Sequence, residues 1–284
     1  MKQPNHHGTH YMLFPNLDFF KQHVDNLSND GVEYKLNSFG LRCDEFSNNH
    51  DGLHILFAGC SNTFGLGTDI ENVWAKRLYN KIKQTDKVSG YYNIGINAGS
   101  IIEIIFHVYR YIEKYKKPDY IFLLFPERYR DDSFFNDQYF IDKYGYRFSD
   151  SFNLSLYHSL ELFCNESNIK LISSSWVLNY NTLWRSFINN TINKIKNPNK
   201  VLEGPKIRNE EIVFKDFNKY FKTFKELDKQ KMLEDLFIYS NENKNDENMY
   251  EAKDDGRHFG NAFHYAWSQQ LYERFINEKN NKKN

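Results

Sequence analysis

Leu53-His54-Ile55-Leu56-Phe57-Ala58-Gly59-Cys60-Ser61-Asn62-Thr63-Phe64-Gly65 is the stretch on which the fold turns. Residues 53–58 form a short apolar run that ends in glycine, the profile of a buried β-strand meeting a tight turn. Downstream, Val73, Trp74, Leu78 and Ile82 recur at helical spacing across residues 71–82. Residues 91–96 repeat the strand profile. Residues 101–115 read as a helix, with Ser100 as N-cap and Glu103 completing a capping box. Lys116-Lys117-Pro118 ends it. Residues 120–125 are apolar at every position, as expected of a strand covered on both faces. A helix over about 152–167, a strand at 170–173 and a closing helix over about 261–277 continue the alternation.

Strands alternating with helices predict right-handed crossovers and an α/β fold: a three-layer α/β/α sandwich around a central parallel sheet. Ligands of such sheets sit at the C-terminal ends of the strands, near the point where strand order reverses. Residues 1–30 are expected to form an N-terminal arm and 31–284 one domain with a helical insertion at about 179–250. Within that insertion Phe217, Tyr220, Phe221, Phe224, Leu227, Leu233, Leu236 and Phe237 stand at helical spacing over 214–239, and 241–248 reads as a solvated loop. The insertion is expected to pack on the core or to cover the site.

The 284 residues include 40% apolar and 17% aromatic side chains, enough for a sizeable core. Lys+Arg and Asp+Glu balance at 37 each, which removes any general attraction to nucleic acid or an anionic membrane. Cys43, Cys60 and Cys164 are odd in number and form no CxxC pair, so they read as reduced thiols. The first residues lack the apolar run of a secretory leader, and no window approaches roughly 18 consecutive apolar residues. The expectation is a cytoplasmic protein without a membrane span. No phosphate-binding GxxxxGK[ST] loop and no zinc-ligand spacing is present, so neither cofactor nor metal is expected. His6, His7 and His10 read as part of the polar arm. His107, His158 and His264 read as structural, Cys60, Trp74 and Trp267 as packing.

Two segments carry chemistry. In Gly59-Cys60-Ser61-Asn62-Thr63-Phe64-Gly65, a serine just past a buried strand projects its hydroxyl into the crevice, and the following N–H groups can point at an anion. Taken alone it also describes a strand-to-helix turn with a capping serine. In Asp255-Gly256-Arg257-His258-Phe259-Gly260, Asp and His three residues apart can meet directly, the carboxylate fixing the imidazole tautomer. Taken alone it also describes an acidic turn before a helix. A serine needs a base to become a nucleophile, and a histidine is the natural one.

Together the segments resemble a known family. GCSNTFG resembles the nucleophile block of SGNH (GDSL-like) hydrolases, in the GCSxTxG variant, and DGRHFG resembles their last block. Asn93-Ile94-Gly95-Ile96-Asn97-Ala98-Gly99 resembles the second block, NxGxxG, and Asn37-Ser38-Phe39-Gly40-Leu41-Arg42 resembles the NSxGxR lead-in of many members. The resemblance covers roughly residues 33–130 and 250–277. It implies the flavodoxin-like SGNH hydrolase fold and a serine esterase or deacylase acting on a small-molecule or carbohydrate ester through an acyl-serine. It implies Ser61 as nucleophile, His258 as base, and Asp255 as the orienting carboxylate, Asp254 fitting the spacing less well. The oxyanion hole would use the Ser61 N–H and the N–H of Gly99 or Ala98, the register being open by one. The third block, GxND, is absent: Phe125-Pro126-Glu127-Arg128-Tyr129-Arg130 follows the strand without the asparagine that completes the hole. Losing one such donor costs on the order of 10²–10³ in turnover. Asn97 or Asn62 can replace it, or Arg128 as a cation or anchor for an anionic substrate group, or the site is catalytically weak. An O-acyltransferase and a non-catalytic binding module are the competing readings.

Overall fold

The computed structural model describes residues 31–126, 148–176, 223–225, 227–253 and 258–281. The arm at 1–30 and most of the 179–250 insertion lie outside them.

The elements follow from the apolar pattern. Strand β1 is Ile55–Gly59, and the short helix α1, Ser61–Phe64, starts directly after it. A 3₁₀ turn at Ile70–Asn72 leads into α2, Trp74–Thr85. Strand β2 is only Tyr92–Asn93, although the Ile94 and Ile96 N–H groups go on donating to the Phe57 and Gly59 carbonyls. Helix α3, Ile101–Lys114, carries the expected capping box: Glu103 N–H donates to Ser100 Oγ, and Ser100 N–H to Glu103 Oε2 at 2.8 Å. Strand β3 is Tyr120–Phe125, α4 is Phe148–Glu166 and β4 is Lys170–Ser175. Helices α5, Lys229–Glu242, and α6, Asn261–Asn280, follow.

The sheet order is β2-β1-β3-β4 and every pairing is parallel. Side chains alternate between its faces with the period of two that a pleated strand imposes. Leu56, Ala58, Ile121, Leu123 and Phe125 face α3 and α4, joining Ile101, Ile105, Val108, Tyr157 and Leu160. Ile55, Phe57, Tyr120, Phe122 and Leu124 face α2 and α6, joining Trp74, Leu78, Trp267, Leu271 and Phe275. The chain is therefore an α/β/α sandwich around a parallel sheet. Each fully buried large apolar side chain in it contributes about 1.5–3 kcal/mol.

From β1 the chain moves outward to β2, then returns across β1 to β3. The strand order thus reverses beside β1, and the C-terminal end of that strand is where open α/β sheets bind their ligands. Ser61 stands two residues past that end.

In the described part of the insertion, α5 follows the helical reading and residues 223–225 depart from it. Residues 223–225 run along the edge of β4, with Phe224 bridging Ser173 in parallel and Lys225 N–H donating to Ser173 O at 3.2 Å. The open edge of β4 offers backbone hydrogen bonds that outweigh the helical spacing of Phe224 and Leu227. Helix α5 begins only at Lys229, where Asp228 caps it by accepting from Lys231 N–H at 2.9 Å. Its buried face carries Met232, Asp235 and Tyr239, whereas Leu233 and Phe237 are exposed. No described helix is long and apolar enough to cross a membrane.

Candidate active site

Ser61 opens α1 and is almost fully buried. Cys60, extended at φ −89°, turns the chain out of β1, and its carbonyl accepts from the N–H groups of Thr63 and Phe64. The N–H groups of Ser61 and Asn62 meet no acceptor among the described residues. They are the unsatisfied donors that any helix start leaves.

A second loop flanks this turn. Gly95 packs flat against the Thr63–Phe64 peptide. Asn93 fixes the contact: its Nδ2 donates to Thr63 O at 2.7 Å, and its Oδ1 accepts from Gly95 N–H at 2.8 Å. Residues 97–99 therefore lie just past the end of β1. Gly99 N–H donates to Ile96 O at 3.0 Å, so it is not open to a ligand in this conformation. Ala98 holds the left-handed turn, at φ 56°, and its N–H has no acceptor among the described residues. Both amide atoms of Asn97, and Asn62 Oδ1, are shielded from solvent without a hydrogen-bond partner among the described residues. Orphaned buried amides are uncommon and call for an explanation.

His258 arrives from the far end of the chain on a hairpin. Glu251 and Phe259 form an antiparallel bridge, Ala252 N–H donates to His258 O at 3.1 Å, and Gly260 N–H donates to Tyr250 O at 3.0 Å. Phe259 anchors the hairpin among Trp176, Phe263 and Trp267. This places His258 Nε2 2.9 Å from Ser61 Oγ, within hydrogen-bond reach. Asp254, Asp255 and Arg128 lie outside the described residues, so no third member of the constellation is placed.

Three residues near the site were not read from the sequence as contributors. His264 Nδ1 accepts from Trp74 N–H at 3.1 Å, capping α2, and burial lowers its pKa to about 3, with the Arg77 charge second. The imidazole is neutral and structural, as its place on the last helix suggested. Asn93, a strand-end asparagine before glycine, turned out to tie two loops together. Arg42 is buried beside the turn that follows α1. Among the described residues, no group of three or more His, Cys, Asp or Glu is placed to hold a metal ion.

No protein-family model matches the chain, and no curated protein sequence matches it. Among solved structures it is similar to the acetyl xylan esterase AlAXEase, with 14% identity over 78% of this chain and 98% of that chain, at a TM-score of 0.36. A likeness at that score establishes neither family nor activity.

Proposed function

We propose that the protein is an SGNH-type serine hydrolase that cleaves an ester through an acyl-enzyme on Ser61. The observation that carries this reading is the 2.9 Å contact between His258 Nε2 and Ser61 Oγ at the C-terminal edge of a parallel sheet. His258 takes the hydroxyl proton as Ser61 Oγ attacks the ester carbonyl. The tetrahedral oxyanion is met by the Ser61 N–H and the Ala98 N–H, and Asn97 Nδ2 stands in for the absent third-block asparagine. His258 then protonates the leaving alcohol. A water, deprotonated by the same imidazole, releases the acid and restores Ser61. Asp255 holds the other ring nitrogen throughout. The motivation for Asn97 is its shielded amide, which has no partner among the described residues, close to the end of β1 that carries Ser61.

Ser61→Ala and His258→Ala are each expected to lower kcat on a short-chain aryl ester by on the order of 10⁴-fold or more. A fluorophosphonate is expected to label the wild type at Ser61. Near-full activity in either variant, or labelling elsewhere, would remove the assignment. A panel of esters that includes O-acylated sugars then identifies the acyl group and the alcohol.

A further inference from the structure

The lead-in motif Asn37-Ser38-Phe39-Gly40-Leu41-Arg42 takes no part in the chemistry above, yet its last residue reaches the seat of the nucleophile. Asn37 Oδ1 accepts from the N–H groups of Phe39 and Leu41, both at 3.0 Å, folding a tight turn that delivers Arg42 inward. Arg42 is 2% exposed. Its Nη1 donates to Gly65 O and to Thr68 O, each at 2.7 Å, and its Nη2 donates to Glu33 O at 3.1 Å. The guanidinium lies 4.7 Å from the ring centroid of Tyr34, a cation–π arrangement. Tyr34 Oη accepts from Gly67 N–H at 2.8 Å, and the ring stacks on Phe64, the last residue of α1.

The loop held in this way touches both halves of the site. Gly65 and Leu66 donate their N–H groups to Ser61 O, at 2.8 and 3.1 Å. Gly65 has φ 84°, a left-handed conformation that aims its carbonyl at Arg42. On the other side, Gly67 O accepts from Lys253 N–H at 2.8 Å, and Lys253 Nζ pairs with Asp69 at 3.2 Å. Lys253 belongs to the hairpin that carries His258, since its neighbour Ala252 donates to His258 O. One four-residue loop is therefore gripped by Arg42 and Tyr34 from below and grips the base-bearing hairpin from above.

We propose that Arg42, backed by Tyr34, is a positioning residue that sets the distance between Ser61 and His258. The proposal rests on the reading of that pair as nucleophile and base. A planar fork that reaches two carbonyls at once fixes a loop in a way that a compact ammonium does not. Displacement of reacting groups by about 1 Å costs on the order of 10²-fold in rate.

The test compares wild type, Arg42→Lys and Arg42→Ala for kcat and KM on a short-chain aryl ester, fluorophosphonate labelling rate, and backbone hydrogen exchange. The expected result is a kcat lower by on the order of 10²-fold in both variants, with KM within about threefold. Labelling slows in parallel. Millimolar ethylguanidinium restores part of the rate to Arg42→Ala and none to Arg42→Lys. Exchange quickens over 61–68 and 249–253 while 120–125 stays protected. Full kcat in folded Arg42→Lys, or equal loss of protection across the whole sheet, overturns the proposal. If Arg42→Ala does not fold, Tyr34→Phe, which removes the hydroxyl that accepts from Gly67 N–H and keeps the ring, is expected to give a smaller loss of kcat of the same kind. A wild type that neither hydrolyses nor labels defeats the hydrolase reading, and the exchange pattern then still decides for or against the clamp.

Discussion

Strand β1 has a histidine paired with a hydroxyl at each end. At its root, His54 Nε2 lies 2.7 Å from Tyr111 Oη, and the ring stacks on His50 with centroids 3.6 Å apart. Tyr92 and Phe46 wall in the group. Burial, helped by the neighbouring His50, lowers the His54 pKa to about 3. At the tip, His258 is half-buried and its Nε2 faces Ser61 Oγ at 2.9 Å. The two pairs have nearly the same separation and the same ring. What differs is the setting. The root hydroxyl is a phenol locked in an aromatic box. The tip hydroxyl opens a helix at the reversal of strand order, with backbone donors beside it. The same histidine–hydroxyl contact thus sits in a closed aromatic setting at one end of β1 and, at the other, in the setting that the proposed nucleophile–base pair requires.

Lowering the pH puts the largest strain on that contrast. His54 and His264 stay neutral in the fold down to about 3, whereas in the unfolded chain each protonates near the ordinary 6.5. Protonation therefore favours unfolding, and stability present above pH 6.5 is progressively lost as pH falls from there toward about 3. Tm is expected to drop through that window. His54→Phe, which keeps an aromatic ring but cannot protonate, is expected to flatten the drop. An acid limb identical to that of the wild type would show that the root histidine is not under this constraint.

A smaller effect sharpens the comparison. Tyr111→Phe removes the hydroxyl that meets His54 and is expected to lower stability by about 1 kcal/mol in chemical denaturation. Its kcat is expected to match the wild type, in contrast to His258→Ala. A loss of turnover on the scale of the His258 variant would mean that the two ends of β1 are coupled.

The sequence carries what is local and hides what is distant. Tyr120–Phe125 is legible because a strand buried on both faces must be apolar throughout, and the Ser100–Glu103 box because both partners sit within one turn. Ser61 and His258 are legible as motifs. The slot in the second block is not, since the choice between Ala98 and Gly99 depends on which residue takes the left-handed turn and which N–H is already bonded. Phe224 misleads because its spacing fits a helix, while the exposed edge of β4 competes for its backbone. Arg42 cannot be assigned from spacing, because the two loop carbonyls that it grips, Gly65 O and Thr68 O, lie 23 and 26 residues away.

The hairpin that carries His258 also bears on how the chain folds. Asp246 accepts from Tyr239 Oη, from Asn248 N–H and from Asn261 Nδ2, so α5, the hairpin and the start of α6 are stitched together by contacts close in sequence. Ser61 and His258 are 197 residues apart. Local closures come early and inexpensively in entropy, while long-range ones wait for the rest of the topology. His258 is therefore assembled within a small C-terminal unit, and it meets Ser61 only when the sheet has closed between them. For the proposed hydrolase, recovery of activity on refolding is then expected to coincide with completion of the whole fold.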